Sequence, residues 1–452
     1  MEKFDIAVIG SGPGGFKAVA QCAKKGASVA IIEKDFVGGT CLNHGCIPSK
    51  TLLVSAHTLL AAKNADAMGI DVSSAVPDWH KIQARRENII NDLRKAMTVS
   101  LKNTKAKWFQ GQAVATSPNR LKIETGGSTS EIHADKIIIA TGSEPTQLAE
   151  IPFDGKIIIS SKEALSLQQI PKSMVIVGGG VIGCELACIF AAVGTTVTIV
   201  EMLPFILASE DQWVGKLLER EFKKLGINIF TSQKVVSVDK NNNSAKVFLE
   251  NGRMIDAEKV LVAVGRKACC DKETVEALNL EMRGSTIKVG EKMETSAKGV
   301  YAIGDVAGKT YLAHGATTEA DVAAANAIGG DVKMSDYSLI PRVIYTFPEA
   351  ASVGKNEQAC KSQGLNFSVG KAFFRANGRS AASSETVGEI KVVKNNSTNK
   401  IIGVTMAGAM VTELVAAAAA FIGRQEKDMQ ITFAHPTISE TLKEAVENAF
   451  AS

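Results

Sequence analysis

The 452-residue sequence predicts an α/β protein in which two Rossmann-like dinucleotide-binding domains precede a C-terminal α+β domain. Three observations predict it. A nucleotide-binding fingerprint occurs twice at a fixed offset, an apolar strand-like run ending in a glycine turn follows each copy, and from Ser338 the pattern changes to short strand-like segments followed by two helical stretches. The length is about three times a typical domain of roughly 150 residues. A composition of 45% hydrophobic and 22% charged residues is ordinary for a globular chain. The formal net charge of +4 comes without a long basic run, which argues against a nucleic-acid partner. Even the apolar run over 414–422 is far too short to span a bilayer, so no membrane association is expected.

The repeat appears when Ile6–Lys34 is laid over Met174–Met202. Gly10, Gly12, Gly15, Gly26 and Glu33 fall on Gly178, Gly180, Gly183, Gly194 and Glu201, each 168 residues further on. Each copy reads as an apolar run (Ile6–Ile9; Val175–Val177), a G-x-G-x-x-G turn, an Ala-rich helical stretch and a β-branched run (Val29–Ile32; Val197–Val200) ending in an acid. This is the βαβ dinucleotide fingerprint in full context. The glycines allow a tight strand-to-helix turn and let N–H groups at the helix start approach a pyrophosphate, and the carboxylate accepts hydrogen bonds from an adenosine ribose. Two nucleotide sites in one chain imply an electron relay between two carriers. Glu201 repels a 2′-phosphate, and none of Met202, Leu203, Pro204 or Phe205 is basic, so the second site favours NAD over NADP.

Further segments fit around the two copies. Ile137–Ala140 runs into Thr141-Gly142-Ser143, and Val260–Val264 runs into Gly265-Arg266; each turn would return to its own nucleotide. Val300–Ile303 leads to Gly304-Asp305, where a carboxylate at a strand's carboxyl end faces a ligand crevice, with a helix N-cap as the alternative. The C-terminal part offers strands over Val343–Tyr345, Leu365–Ala372, Glu389–Lys394 and Ile401–Met406, then helices over Val411–Ile422 and Ile438–Ala449. Boundaries near 148, 269 and 335 follow, giving stretches 1–148, 149–269, 270–335 and 336–452.

Eight cysteines are too few and scattered for a secreted disulfide framework. The opening Met1–Asp5 runs straight into a strand pattern without a signal peptide's apolar region, so an intracellular, cytoplasmic protein is expected. Only the Cys41–Cys46 spacing looks purposeful. Residues five apart in an ideal helix have Cα atoms roughly 8.5 Å apart, beyond the disulfide ceiling of about 6.8 Å, so the helix must be distorted for these two to bond. Gly45 and Pro48 supply the means. Zinc ligation lacks a second ligand cluster nearby, and a staple closing so small a loop has little entropic return. A redox-active dithiol just after a dinucleotide-binding unit fits the placement better than either, or than two unrelated thiols. Such a dithiol needs a proton manager. His57, His80 and His133 sit among polar neighbours, where plain exposure serves as well as a role. His44 lies between the cysteines without a defined orientation. His435 stands at a turn before a helix, stiffened by Pro436, with Glu440 one turn in and able to accept from the ring's other nitrogen. Cys269-Cys270 reads as a surface loop.

The assembled motifs resemble the FAD-dependent pyridine nucleotide-disulfide oxidoreductase family nearly end to end. The motifs are G-G-T-C-L-N-H-G-C-I-P-S-K over Gly38–Lys50, G-V-I-G-C-E ending at Glu185, Y-A-I-G-D ending at Asp305, I-Y-T-F-P-E over Ile344–Glu349 and A-H-P-T-I-S-E ending at Glu440. The redox box is more similar to that of the lipoamide-oxidising members than to that of glutathione or mercuric reductases. The resemblance implies FAD on the first unit, through Gly10, Gly12, Gly15, Glu33 and Lys34, with Gly39, Thr40, Lys50, Ala113, Thr141, Gly142, Ser143, Asp305 and the turn Tyr311, Leu312, Ala313 and His314. It implies NAD on the second, through Gly178, Gly180, Ile182, Gly183, Glu185, Glu201, Val235 and Gly265. No metal is implied.

The implied reaction is oxidation of protein-bound dihydrolipoamide. Cys41 would be the more exposed sulfur that meets substrate and Cys46 the one nearer the flavin. His435, oriented by Glu440, would be the base, and Lys50 and Glu185 an ion pair beside the flavin. The family supplies the histidine from the other subunit, so the resemblance implies a homodimer joined through the C-terminal dimerisation domain. Its partners would be lipoyl domains or carrier proteins of 2-oxoacid dehydrogenase or glycine cleavage complexes. The chain departs from many members at Phe347 and Phe433, where they have histidine, at Ala268, where they have proline, and at His44, which replaces an apolar residue. A rival within the superfamily is a disulfide or metal reductase using NAD(P)H. The sequence lacks the C-terminal vicinal cysteine pair of mercuric reductases and basic residues after Glu201.

Overall fold

A computed structural model describes residues 1–429 and 431–451, which fall into two compact units. The first unit comprises Met1–Thr51, His80–Thr146 and Gly265–Tyr337. Its sheet places the strands in the order Lys107–Gln110, Val29–Glu33, Glu2–Ile9, Ser128–Ile139, Arg120–Thr125 and Gln112–Ser117, with Val300–Ala302 also beside Ser128–Ile139. The first four strands and Val300–Ala302 run parallel; the rest form an antiparallel extension. Parallel strands are covered on both faces, which is why Ile6–Ile9 and Ile137–Ile139 are unbroken apolar runs and fully buried. The helix Pro13–Lys24 crosses between the first two strands, and Ala313–Ala327 packs along it so closely that a Cβ on Gly14 would lie 3.2 Å from the Ala316 carbonyl oxygen. The stretch expected over 270–335 therefore brings a strand and a helix to the first fingerprint.

The second unit comprises Leu52–Trp79, Gln147–Val264 and the chain from Ser338 onward. A parallel sheet orders Asn228–Phe230, Thr196–Val200, Ser173–Val177, Lys259–Val262 and Ile158–Ile159, and a three-stranded antiparallel sheet over 235–257 follows the second fingerprint. The C-terminal part is a five-stranded antiparallel sheet in the order Arg342–Ile344, Glu349–Gly354, Lys400–Gly408, Glu389–Asn395 and Phe367–Phe373. Helices Val411–Phe421 and Ser439–Ala451 cover it, as the change of pattern at Ser338 leads one to expect. Leu52–Trp79, inside the stretch expected as 1–148, packs with this unit instead. The Trp79 indole donates to the Leu167 carbonyl at 2.8 Å and its ring lies 6.1 Å from that of Phe190.

Candidate active site

The sequence repeat is also a repeat of hydrogen bonds. In the first copy the Glu33 carboxylate accepts from Ser11 N at 2.8 Å and from Asp35 N at 2.9 Å. In the second, Glu201 accepts from Gly179 N at 2.6 Å and from Leu203 N at 2.7 Å, the same pairs 168 residues on. Each acid thus pins the glycine turn to the end of the next strand. Gly10 N and Gly178 N bond to Ile32 O and Val200 O, and the crossing strands answer with Ala140 N to Ile9 O and Ala263 N to Val177 O.

Both cradles fit a dinucleotide. A Cβ on Gly15 would lie 2.0 Å from Gly10 O, and one on Gly183 would lie 2.1 Å from Gly178 O, so strand and helix close onto each other there. Gly12 and Gly180 instead face open space, and no side chain caps the helices Pro13–Lys24 and Val181–Ala192 that start beside them. Their first N–H groups are left for an external acceptor, the arrangement that binds a pyrophosphate.

The other residues expected at the first nucleotide fall in the first unit. Ser143 Oγ donates to Asp305, and the Arg266 guanidinium donates to Ser143 Oγ at 2.7 Å and to its carbonyl at 2.6 Å, 3.8 Å from the Asp305 carboxylate. Tyr311 takes a left-handed conformation just before the uncapped helix that begins at Ala313, with His314 in its first turn. Ala113 is buried in its strand. In the second unit Ile182 lies in the first turn of the fingerprint helix. Glu185, 4% exposed in the same helix, accepts from Tyr345 N at 3.1 Å; Val235 opens a strand, and Gly265, at φ 118°, ends the run after Val262 in the first unit.

Cys41 lies in the six-residue helix Gly39–His44 and Cys46 opens the helix Cys46–Lys63. Between them Gly45, at φ −144° and ψ −111°, breaks the helical path, the distortion their spacing requires. Gly39 seats this helix on the dinucleotide turn, since a Cβ there would lie 2.7 Å from Gly12 Cα. Both cysteines are thiols whose side chains hydrogen-bond. That bond, reinforced by burial, pushes the Cys41 thiol well above its ordinary range, against the nearby Lys50 charge. Cys41 thus holds its proton, while Cys46 opens a helix, an N-terminal position whose dipole favours an anion.

Three expectations need correction or addition. In the chain by itself Cys46 is exposed and Cys41 half-buried, the reverse of the expected order. Cys269-Cys270 lies in a loop as expected, but half-buried: Cys269 N donates to Gly142 O, its carbonyl accepts from Thr141, and Cys270 packs against the first unit's core. Ser11 and Glu319 carry parts of the first site that no motif marks, and Arg266, expected only as the end of the turn returning to the second nucleotide, serves Ser143 and Asp305 of the first unit instead. Ser11 Oγ donates to Glu33 at 2.6 Å, and buried Glu319 accepts from Gly304 N at 2.6 Å, fixing the turn before Asp305. A charge directly after Gly265 was the available signal for Arg266; Glu319 lies in an unremarkable Ala-rich helix.

In the second unit His435 Nδ1 lies 3.0 Å from Glu440 Oε1, and Thr437 N donates to Glu440 Oε2 at 2.9 Å. The imidazole side chain is 78% exposed. The Thr437 amide first, and the His435 ring second, hold the Glu440 carboxyl below the usual carboxylate range. His57, exposed on its helix, rests its ring 5.4 Å from that of Phe347.

A sulfur couple in contact beside one of two dinucleotide cradles defines a nucleotide-linked disulfide oxidoreductase. The comparisons agree: the pyridine nucleotide-disulphide oxidoreductase profile matches residues 4–320 and the dimerisation domain of the same group matches 340–446, and the chain belongs to this family. It is 39% identical to a dihydrolipoyl dehydrogenase of Bacillus subtilis (strain 168), over 98% of this chain and 97% of that one. It is also 39% identical to one of Trypanosoma brucei brucei, over 99% and 97%. Among solved structures, LpdA from Mycobacterium tuberculosis superposes with a TM-score of 0.92 at 25% identity, covering 99% of both chains.

Proposed function

We propose that the chain oxidises protein-bound dihydrolipoamide to lipoamide, passing two electrons through Cys41 and Cys46 and FAD to NAD. One observation carries this reading: the sulfur pair meets across the Gly45 break on a helix seated against the first dinucleotide turn, in a chain similar over nearly its full length to dihydrolipoyl dehydrogenases. FAD belongs to the cradle of Gly12 and Glu33, NAD to that of Gly180 and Glu201. When bound, FAD supplies a carrier that accepts the pair's two electrons and hands them on to NAD.

The chain's own residues do the rest. A lipoyl thiolate attacks Cys41 of the oxidised pair, the S–S bond breaks and Cys46 leaves with the electron pair. Cys46 is the better leaving group because its charge falls on the helix N-terminus. The second lipoyl thiol then gives up its proton to the departing Cys41 sulfur as its own sulfur displaces it, leaving oxidised lipoyl, a Cys41 thiol, a Cys46 thiolate and the first proton on His435. Glu440 holds His435 Nδ1, leaving Nε2 to take the proton of the incoming thiol. Lys50 supplies a cation in the helix that Cys46 opens, and Glu185 a buried carboxylate in the second fingerprint helix. The exposed His435 and the matched dimerisation domain support a homodimer in which His435 serves the partner's sulfurs. Lipoyl domains or carrier proteins of 2-oxoacid dehydrogenase or glycine cleavage complexes are the electron donors, and the cytoplasm the compartment.

The purified protein is expected to be yellow, to reduce NAD with dihydrolipoamide far faster than NADP, and to lose that turnover on Cys46→Ser. A Cys46→Ser enzyme that kept it would remove the reading, and equal efficiency with NADP would remove the role of Glu201.

A further inference from the structure

The helix carrying Cys41 is six residues long, far too short to persist alone, and glycines bound it at Gly38, Gly39 and Gly45. The Cys46 backbone N–H bonds to the Cys41 sulfur, but the short helix that carries Cys41 needs a further anchor to hold its orientation. Asn43 provides one from within: only 6% exposed, its amide donates to Gly39 O at 2.8 Å, Val37 O at 3.2 Å and Phe36 O at 3.4 Å. Its Oδ1 has its partner on the long helix Trp79–Asn103, where Arg94 Nε donates to it at 2.5 Å. Arg94 is itself held in place. Its guanidinium stacks 4.0 Å over the Phe36 ring, and Nη1 donates to Asn91 Oδ1 at 3.1 Å. The same long helix reaches the other half of the box, since Arg85 Nη1 donates at 3.1 Å to Thr51 O in the helix that Cys46 opens.

We propose that Arg94 is a positioning residue of the disulfide couple: acting through Asn43, it holds the Cys41 helix on the Trp79–Asn103 brace to which Arg85 ties the Cys46 helix. Removing the guanidinium leaves a buried amide oxygen without its donor, and the short helix rotates or shifts to satisfy it, carrying Cys41 with it. Only the planar fork with its stacked face can occupy this place fully; an ammonium reaches the oxygen but gives up the ring contact and the second bond.

The proposal rests on Cys41 and Cys46 being the redox couple, and its test does not depend on turnover. FAD-loaded enzyme is reduced with a phosphine and pulsed with iodoacetamide, and the alkylation of Cys41 and Cys46 is read by peptide mass spectrometry. Arg94→Met is expected to change the Cys41 to Cys46 partition by about fivefold, the size of one buried hydrogen bond. Lipoamide kcat should fall with KM and flavin content held, and Arg94→Lys should lie between Met and the parent. A loss of melting temperature with the parent's partition means that Arg94 only stabilises the fold, and overturns the proposal. Should Arg94→Met fail to retain flavin, Arg94→Lys decides by the same reading, with a parental partition overturning the proposal. Failure of the functional reading shows separately, as a Cys46→Ser enzyme, with Arg94 unchanged, that keeps lipoamide turnover.

Discussion

Glu440 keeps its charge because the Thr437 amide and then the His435 ring stabilise the carboxylate. Its affinity for a proton is lowered on folding, so the hold on the histidine turn is present above the ordinary carboxylate range and lost as pH falls through the lowered value. At neutral pH the turn is intact. Replacing His435 with Gln is expected to cost roughly 10²- to 10⁴-fold in lipoamide turnover, with flavin content unchanged, in steady-state assays. Undiminished turnover would discard the base. The other cysteines give an opposite case. Burial pushes Cys22 and Cys188 up to about 12 and Cys270 up to about 11. At pH 8 all three stay protonated, so iodoacetamide should leave them unmodified in the native enzyme, as peptide mapping would show; labelling of Cys270 at the pace of a free thiol contradicts its packing. That packing was illegible in the sequence, because two adjacent cysteines carry no periodic signal and the partners of Cys269, Thr141 and Gly142, lie far along the chain.

The glycines of a cradle divide by what surrounds them. Ala at Gly15 or Gly183 drives a methyl into a backbone oxygen and is expected to cost roughly 1–3 kcal/mol or more of stability. Ala at Gly12 or Gly180 meets no protein atom, so melting in the ligand-free state should be unchanged while affinity for FAD or NAD, respectively, falls; calorimetry on both pairs separates the two effects. A destabilised Gly12→Ala would contradict the open cradle. The fingerprints were readable because strand, turn, helix and acid are all local in sequence, and the Gly45 break was readable because five residues of ideal helix cannot bring two sulfurs together. Arg94 and Glu319 were not readable: each works through a bond to a residue remote in sequence, and nothing in its own neighbourhood sets it apart.

At the scale of the whole molecule the chain threads between its two units, and the change of pattern at Ser338 marks the one long C-terminal stretch that stays in a single unit. If His435 serves the partner's sulfurs, a Cys46→Ser chain and a His435→Gln chain, each inactive alone, should regain about a quarter of parental turnover when reassembled as a random mixture, because one site of each hybrid dimer is complete. No recovery, with exchange verified by mass, would confine the histidine to its own chain. The paired amide clasps on Glu33 and Glu201 carry a last implication for anyone re-engineering coenzyme choice. Trading Glu201 for a neutral or basic residue to admit a phosphorylated ribose would also unfasten the loop that greets the pyrophosphate, so selectivity and grip would be lost together. The productive edits lie around the acid, among Met202 to Phe205.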